Sequence, residues 1–185
     1  VDSFSTTPST NVTIASSTIN NAASNVILQA NQNINFNDNV SIAGAGLSLT
    51  AQAGRDIVIA NGVSVATNNG DIVFFANDST ADSSNRGNGA GDITMGAGSS
   101  LNAGTGNIDL EIGSSTDSPF NPGSISLRDL TAKNITINGM NAVTLNSNNT
   151  ISSSGTVTIH ANAIGAGGQD FVMNTGSSIT TTDSS

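Results

Sequence analysis

The stretch "GLSLTAQAGRDIVIANGVSVATNNG", Gly46 to Gly70, holds three short apolar alternations, LSL, IVI and VSV, set apart by Gly, Asn and Asp and followed by a fresh start. The same three-part order runs along the chain. One family of segments comprises Val26–Ala30 (VILQA), Leu47–Ala51 (LSLTA), Asp71–Ala76 (DIVFFA), Asn107–Ile112 (NIDLEI), Asn134–Asn138 (NITIN) and Thr156–His160 (TVTIH). A second comprises NVTI at Asn11, NINF at Asn33, DIVI at Asp56, DITM at Asp92, SISL at Ser124, AVTL at Ala142 and DFVM at Asp170. A weaker third family follows, from STIN at Ser17 and VSIA at Val40 to SITT at Ser178. A chain that repeats such a triplet is one whose blocks, roughly 21 to 36 residues each, form coils of a three-sided β-solenoid, each coil laying its strands on those of the coil before.

About six full coils and two thirds of another fit the 185 residues. With strands ~4.8 Å apart the stack is on the order of 30 Å long, so residues 1–185 form a single domain. The period of two assigns side-chain direction. On the first face the inward residues are Val26/Leu28, Leu47/Leu49, Ile72/Phe74, Ile108/Leu110, Ile135/Ile137 and Val157/Ile159; on the second they run from Val12/Ile14 through Ile57/Ile59 to Phe171/Met173. Stacking makes Leu49, Phe74 and Leu110 consecutive neighbours in one column. Gly, Asn and Asp at the corners supply positive φ or side-chain-to-backbone hydrogen bonds. A β-sandwich also has many short strands, but has no reason to repeat a three-part order.

Three stretches interrupt the rhythm: 77–91 (NDSTADSSNRGNGAG), 113–123 (GSSTDSPFNPG) and 162–168. All leave the corner between the first and second faces. Val73 and Phe75 point outward beside the first insertion, and the expectation is that the loop folds back over them.

Hydrophobic residues make up 36% of the chain and charged ones only 9%, an apolar supply concentrated in alternating Ile, Val and Leu, which argues against disorder. Thirteen acids face only Arg55, Arg86, Arg128 and Lys133, for a net charge of -9. That balance offers no basic patch for nucleic acid, and no apolar run reaches the ~18 residues of a membrane span. Cysteine is absent, which excludes disulfides. The chain begins at Val1, with no visible signal peptide, and reads as a processed or excised piece.

Coils such as "GLSLTAQAGRDIVIANGVSVATNN", "GNIDLEIGSSTDSPFNPGSISL" and "KNITINGMNAVTLNSNNTISSSGTVTI" resemble the filamentous-haemagglutinin-like exoproteins, large bacterial proteins of the two-partner secretion type. The resemblance spans essentially the whole chain. It implies a right-handed parallel β-helix, exported unfolded to the cell surface or beyond it, commonly as an adhesin. Absence of cysteine fits that route. No secretion module or toxin tip is recognisable, so the chain looks like a length of shaft.

Candidate chemistry is thin. Asp109 and Glu111 point outward on one strand, roughly 7 Å apart at two residues' rise, a separation compatible with the carboxylate pair of a glycan-active β-helix enzyme. No neighbouring coil adds a third acid or a cation there. His160, the only histidine, shares an outward column with Asn138 and Glu111 and reads as an exposed strand residue. "GAGGQDFVM" at Gly165 nearly matches a calcium-binding nonapeptide, but that site needs tandem copies. Asp78 and Asp82 lack the spacing of an EF-hand loop. A flat array of outward threonines for ice binding fails on the column Ile27, Ser48, Val73, Asp109, Thr136, Thr158.

The expectation is therefore a non-enzymatic, extracellular or cell-surface shaft, without catalytic residues, cofactor or metal. A glycan-active enzyme is the alternative. The expected partners of the shaft are a host or surface glycan or protein receptor, and copies of itself stacked end to end. Neither end carries an amphipathic helix in this reading, so either the polypeptide continues or copies stack into a fibre.

Overall fold

A computed structural model describes residues 11–114, 119–165 and 170–182. After a five-residue helix, α1 (Ser16–Asn20), the first coil holds β1 (Val26–Ala30), β2 (Ile34–Phe36) and β3 (Val40–Ala45). The second holds β4 (Leu49–Ala53), β5 (Ile57–Ile59) and β6 (Ser64–Asn68), and the third β7 (Ile72–Ala76), β8 (Gly89–Met95) and β9 (Ser100–Asn102). The fourth holds β10 (Ile108–Ile112), β11 (Phe120–Leu127) and β12 (Asp129–Ala132), and the fifth β13 (Ile135–Asn138), β14 (Val143–Leu145) and β15 (Thr150–Ser153). The sixth holds β16 (Val157–His160), β17 (Phe171–Met173) and β18 (Ser178–Thr181). Every third strand pairs in parallel, giving three six-stranded sheets, β1-β4-β7-β10-β13-β16 and its two counterparts. The fold is a three-sided parallel β-helix of six coils.

Alternation places the core. Ile57 and Ile59, Ile72 and Phe74, Ile108 and Leu110, Ile135 and Ile137 are all at most 1% exposed. Neighbouring coils bury one another's faces, at about 25 cal/mol per Å² of apolar surface. One column of the first face runs Val26, Leu49, Ile72, Ile108, Ile135, Val157, and the next Leu28, Ala51, Phe74, Leu110, Ile137, Ile159.

Those columns correct the expected register. Leu49 lies on Ile72, and it is Ala51 that precedes Phe74 and Leu110. The second coil is displaced by two residues, an even number, so its inward face stays inward. Leu47 is spent on the corner: its amide bonds to the Gly44 carbonyl (3.3 Å) across a turn with Gly46 at φ 72°. The shift also sets the small Ala51 beside Phe74, whose ring stacks on Phe36 of the first coil with centroids 5.3 Å apart. Thr50, not Ser48, consequently occupies the outward column beside Val73.

The first turn of repeat is a second correction. NVTI forms no strand, with Val12 and Ile14 49% and 44% exposed, and STIN lies within α1. No earlier coil stands among the described residues to pair with, and the segment makes a single turn, the Asn21 amide bonding to the Ser17 carbonyl at 3.1 Å. α1 packs on β3, buries Ile19 and accepts the Ser41 amide on Asn20 Oδ1 at 2.7 Å, so a helix covers this edge where none was expected. The sixth coil differs: Phe171, Val172 and Met173 are exposed.

Corners behave as their composition requires. Asn69, Asn77, Asn148 and Asn162 adopt positive φ. Before the first face, Asn25 Oδ1 accepts the Ser48 amide, Ser48 Oγ that of Asp71 and Asp71 Oδ1 that of Asn107, at 2.8–3.1 Å. Before the second face, Asn33, Asp56 and Asp92 accept the amides of Asp56, Asp92 and Ser124 in the same way. Each corner residue thus ties its coil to the next.

Candidate functional site

Two regions carry chemistry: the insertions and the outward carboxylates. All three insertions leave the corner between the first and second sheets, as their sequence placement requires. The first is built as an ordered element. Asn77 and Asp78 donate their amides to the Arg55 and Ala53 carbonyls (3.0 and 2.9 Å), and Asn31 Oδ1 accepts the Asp82 amide at 2.9 Å. Gly54 permits this approach: a Cβ there stands 2.2 Å from the Asn31 oxygen and 2.7 Å from the Ala81 methyl. Local Asx turns stiffen the loop, with Asp78 Oδ1 accepting from Thr80 and Asp82 from Ser84 and Asn85. The loop's hydrogen bonds run over the corner toward the first two coils, and Val73 and Phe75 remain half-buried.

Arg86 joins the first insertion to the second. It is 7% exposed, donates Nε to the Gly54 carbonyl at 2.7 Å and Nη2 to Asn77 Oδ1, and lies 4.4 Å over the Phe120 ring. Asn77 Nδ2 donates to the Gly113 carbonyl at 2.7 Å, and Gly89 to Ala90 pair with Phe120 to Asn121 as an extension of β8 on β11. Among the described residues the two insertions are joined at this corner. Sequence reading placed both loops but missed this junction; the Asp-Ser-Thr and Asp-Ser-Ser-Asn turn signals of the first loop were the available hint of order.

Asp109 and Glu111 project from β10 as expected, between Val73 and Thr136 and between Phe75 and Asn138. The column continues to His160, whose Nδ1 is 3.1 Å from Asn138 Oδ1. The outward positions of this sheet are otherwise Ile27, Gln29, Thr50, Gln52 and Thr158, so no cation from a strand faces the carboxylates. Asp109 Oδ1 is buried without a hydrogen-bond partner. Burial pushes the Asp109 carboxyl above its ordinary range, and burial followed by the Asp109 charge does the same to Glu111.

A folded state that holds the proton more tightly than the unfolded chain is stabilised below the ordinary carboxylate range and loses that stability as pH rises through the raised value. Asp109→Asn is accordingly expected to raise the melting temperature near pH 7 by a few degrees, with the gain shrinking toward about pH 3. Paired thermal melts followed by circular dichroism check this; a variant no more stable than the native chain at neutral pH contradicts it.

Asp78 and Asp82 serve the loop itself, and hydrogen bonds from the Ser84 amide and then Asn85 hold Asp82 below its usual range. Among the described residues no three His, Asp or Glu side chains gather as a metal-ligand group. Most of the glycine-rich part of "GAGGQDFVM" and part of each later insertion lie outside the described residues. Among the described residues no helix is long and apolar enough to cross a membrane. No protein family, curated protein or solved structure matches the chain.

Proposed function

We propose that this chain is a non-enzymatic, extracellular length of shaft from a bacterial surface protein of the filamentous-haemagglutinin-like type, and that it serves adhesion by presenting its insertions. The observation that carries the reading is the elaborated corner: two loops from consecutive coils, their described parts locked to each other through Arg86, Asn77 and Phe120, on an otherwise regular stack. A stiff support with one elaborated corner suits recognition, because binding residues concentrate on loops held by rigid scaffolds. The sixth coil, with its exposed Phe171 and Met173, is the surface through which copies associate in this reading.

A glycan-active enzyme is the second reading, favoured by the raised carboxylates of Asp109 and Glu111. Incubation with a panel of polysaccharides separates the two. The shaft reading expects retention on immobilised glycans or cell surfaces, lost when residues 78–88 are replaced by a short turn, and no new reducing ends or unsaturated products. Cleavage that disappears in an Asp109→Asn, Glu111→Gln double variant overturns it.

A further inference from the structure

We propose that the hollow between the first insertion and the corners of the first two coils binds a carboxylate-bearing sugar through Arg55; this rests on the reading of the insertions as the recognition element. The hollow is a shallow depression, largely open to solvent, of about 470 Å³, lined by Gln32 and Arg55 from the coils and by Ser83, Ser84, Asn85 and Arg86 from the loop, among others. Two of the four cationic side chains of a chain with net charge -9 therefore meet at one place.

Arg55 is fixed and still available. Its Nε donates to Asp56 Oδ2 at 2.8 Å, Asp56 is itself held by the Asp92 amide at 3.0 Å, and Nη1 makes only a long contact (3.4 Å) with the Asn88 carbonyl. Gly87 lies against the arginine stem, so close that a Cβ there stands 2.9 Å from Cδ. The side chain is nevertheless 39% exposed, and Nη2 has no protein partner among the described residues. A guanidinium anchored at Nε presents its Nη1/Nη2 edge as a fork that matches the two oxygens of a carboxylate. Arg86, 7% exposed, forms part of the same wall.

Of the described acids, Asp56 is paired with Arg55 Nε and Asp82 accepts from Ser84 and Asn85. Gln32, the serines and Asn85 supply amide and hydroxyl groups suited to a polyhydroxylated ring and give an apolar ligand nothing to bury against. The chain's overall negative charge opposes a polyanion while tolerating one carboxylate on an otherwise neutral sugar. The ligand class that fits is a uronic acid, free or at the end of a glycan.

The test is an amide-resolved NMR titration of the unaltered chain with galacturonate, its methyl ester, galactose and acetate. Galacturonate is expected to shift the amides of Arg55 and residues 83–88, to bind at least roughly tenfold more tightly than the ester, galactose or acetate, and to weaken as salt is added. Arg55→Gln is expected to remove the preference of acid over ester, again roughly tenfold. Equal affinity for acid and ester, equal affinity for acetate, or shifts confined to other parts of the chain overturn the proposal, and the acid-against-ester comparison does not depend on the variant folding. Glycan retention elsewhere on the chain leaves the shaft reading intact while this site fails. Galacturonate binding in a protein that retains no surface glycan does the reverse.

Discussion

Replacing Phe74 with alanine is expected to cost about 3–5 kcal/mol, the range for deleting a fully buried aromatic ring. Phe74 is 0% exposed, lies between Ala51 and Leu110 in its column, and stacks on Phe36 at 5.3 Å with the rings 14° from parallel. The cavity resists collapse for a structural reason. Adjacent strands are held ~4.8 Å apart by their backbone ladders, and the neighbour on one side is already an alanine, so little can move in to replace the ring. Because each coil contacts chiefly its neighbours, the loss falls on the junction of the first four coils. Urea unfolding of Phe74→Ala beside Phe75→Ala checks this: Phe75, one residue on, is half-buried on the outer surface and is expected to lose distinctly less. Equal losses at the two positions contradict the assigned alternation.

That pair of residues also marks what a linear reading captures. Parity is legible because the apolar residues of "DIVFFA" and "NIDLEI" can all be buried in only one phase. Register is not, because a shift of two preserves parity and leaves the hydrophobic pattern equally satisfied. "GLSLTAQA" allows the strand to begin at Leu47 or at Leu49, and the decision rests on the Gly44–Leu47 turn and on the space Phe74 needs beside Ala51. The turn is local, but the space beside Phe74 is a tertiary fact.

STIN fails for a related reason. Its alternation matches a third-face strand, but alternation describes what a segment presents to neighbours, and the described chain has no coil before it. With one side unpaired, the segment makes a single turn in α1, held by the Asn21 amide on the Ser17 carbonyl and by Ile19 in the core. The carboxylate column was visible from spacing alone, since Glu111, Asn138 and His160 occupy equivalent repeat positions, and it lies as expected. The Arg86–Phe120 junction was not visible. It unites two loops of irregular length, and periodicity says nothing about residues outside the repeat.

Arg86→Ala is the experiment that probes that junction. The substitution removes the donors to the Gly54 carbonyl and to Asn77 Oδ1 and uncovers the face of Phe120. Hydrogen bonds from a buried cation contribute about 1.5–3 kcal/mol each and the ring contact about 0.5–2 kcal/mol; with partial relaxation of the loop, a loss of about 2–4 kcal/mol is expected. Its location matters more than its size. The coil interiors do not include Arg86, so the loss is expected to open the insertions while the three sheets persist. Protease cleavage within residues 78–88 is expected to accelerate by roughly 30-fold to several hundredfold if opening precedes cutting in rapid equilibrium, with the far-ultraviolet circular dichroism of the sheets little changed. Arg86→Lys is expected to behave nearly as badly, because an ammonium cannot serve two acceptors and lie flat on a ring as a planar guanidinium does. If cleavage stays slow in both variants, the strand extension of β8 on β11 and the bonds of Asn77, Asp78 and Asp82 hold the insertions without Arg86. If instead the whole solenoid melts with the loop, the insertions are part of the cooperative core and the division into rigid shaft and separate recognition element fails with it.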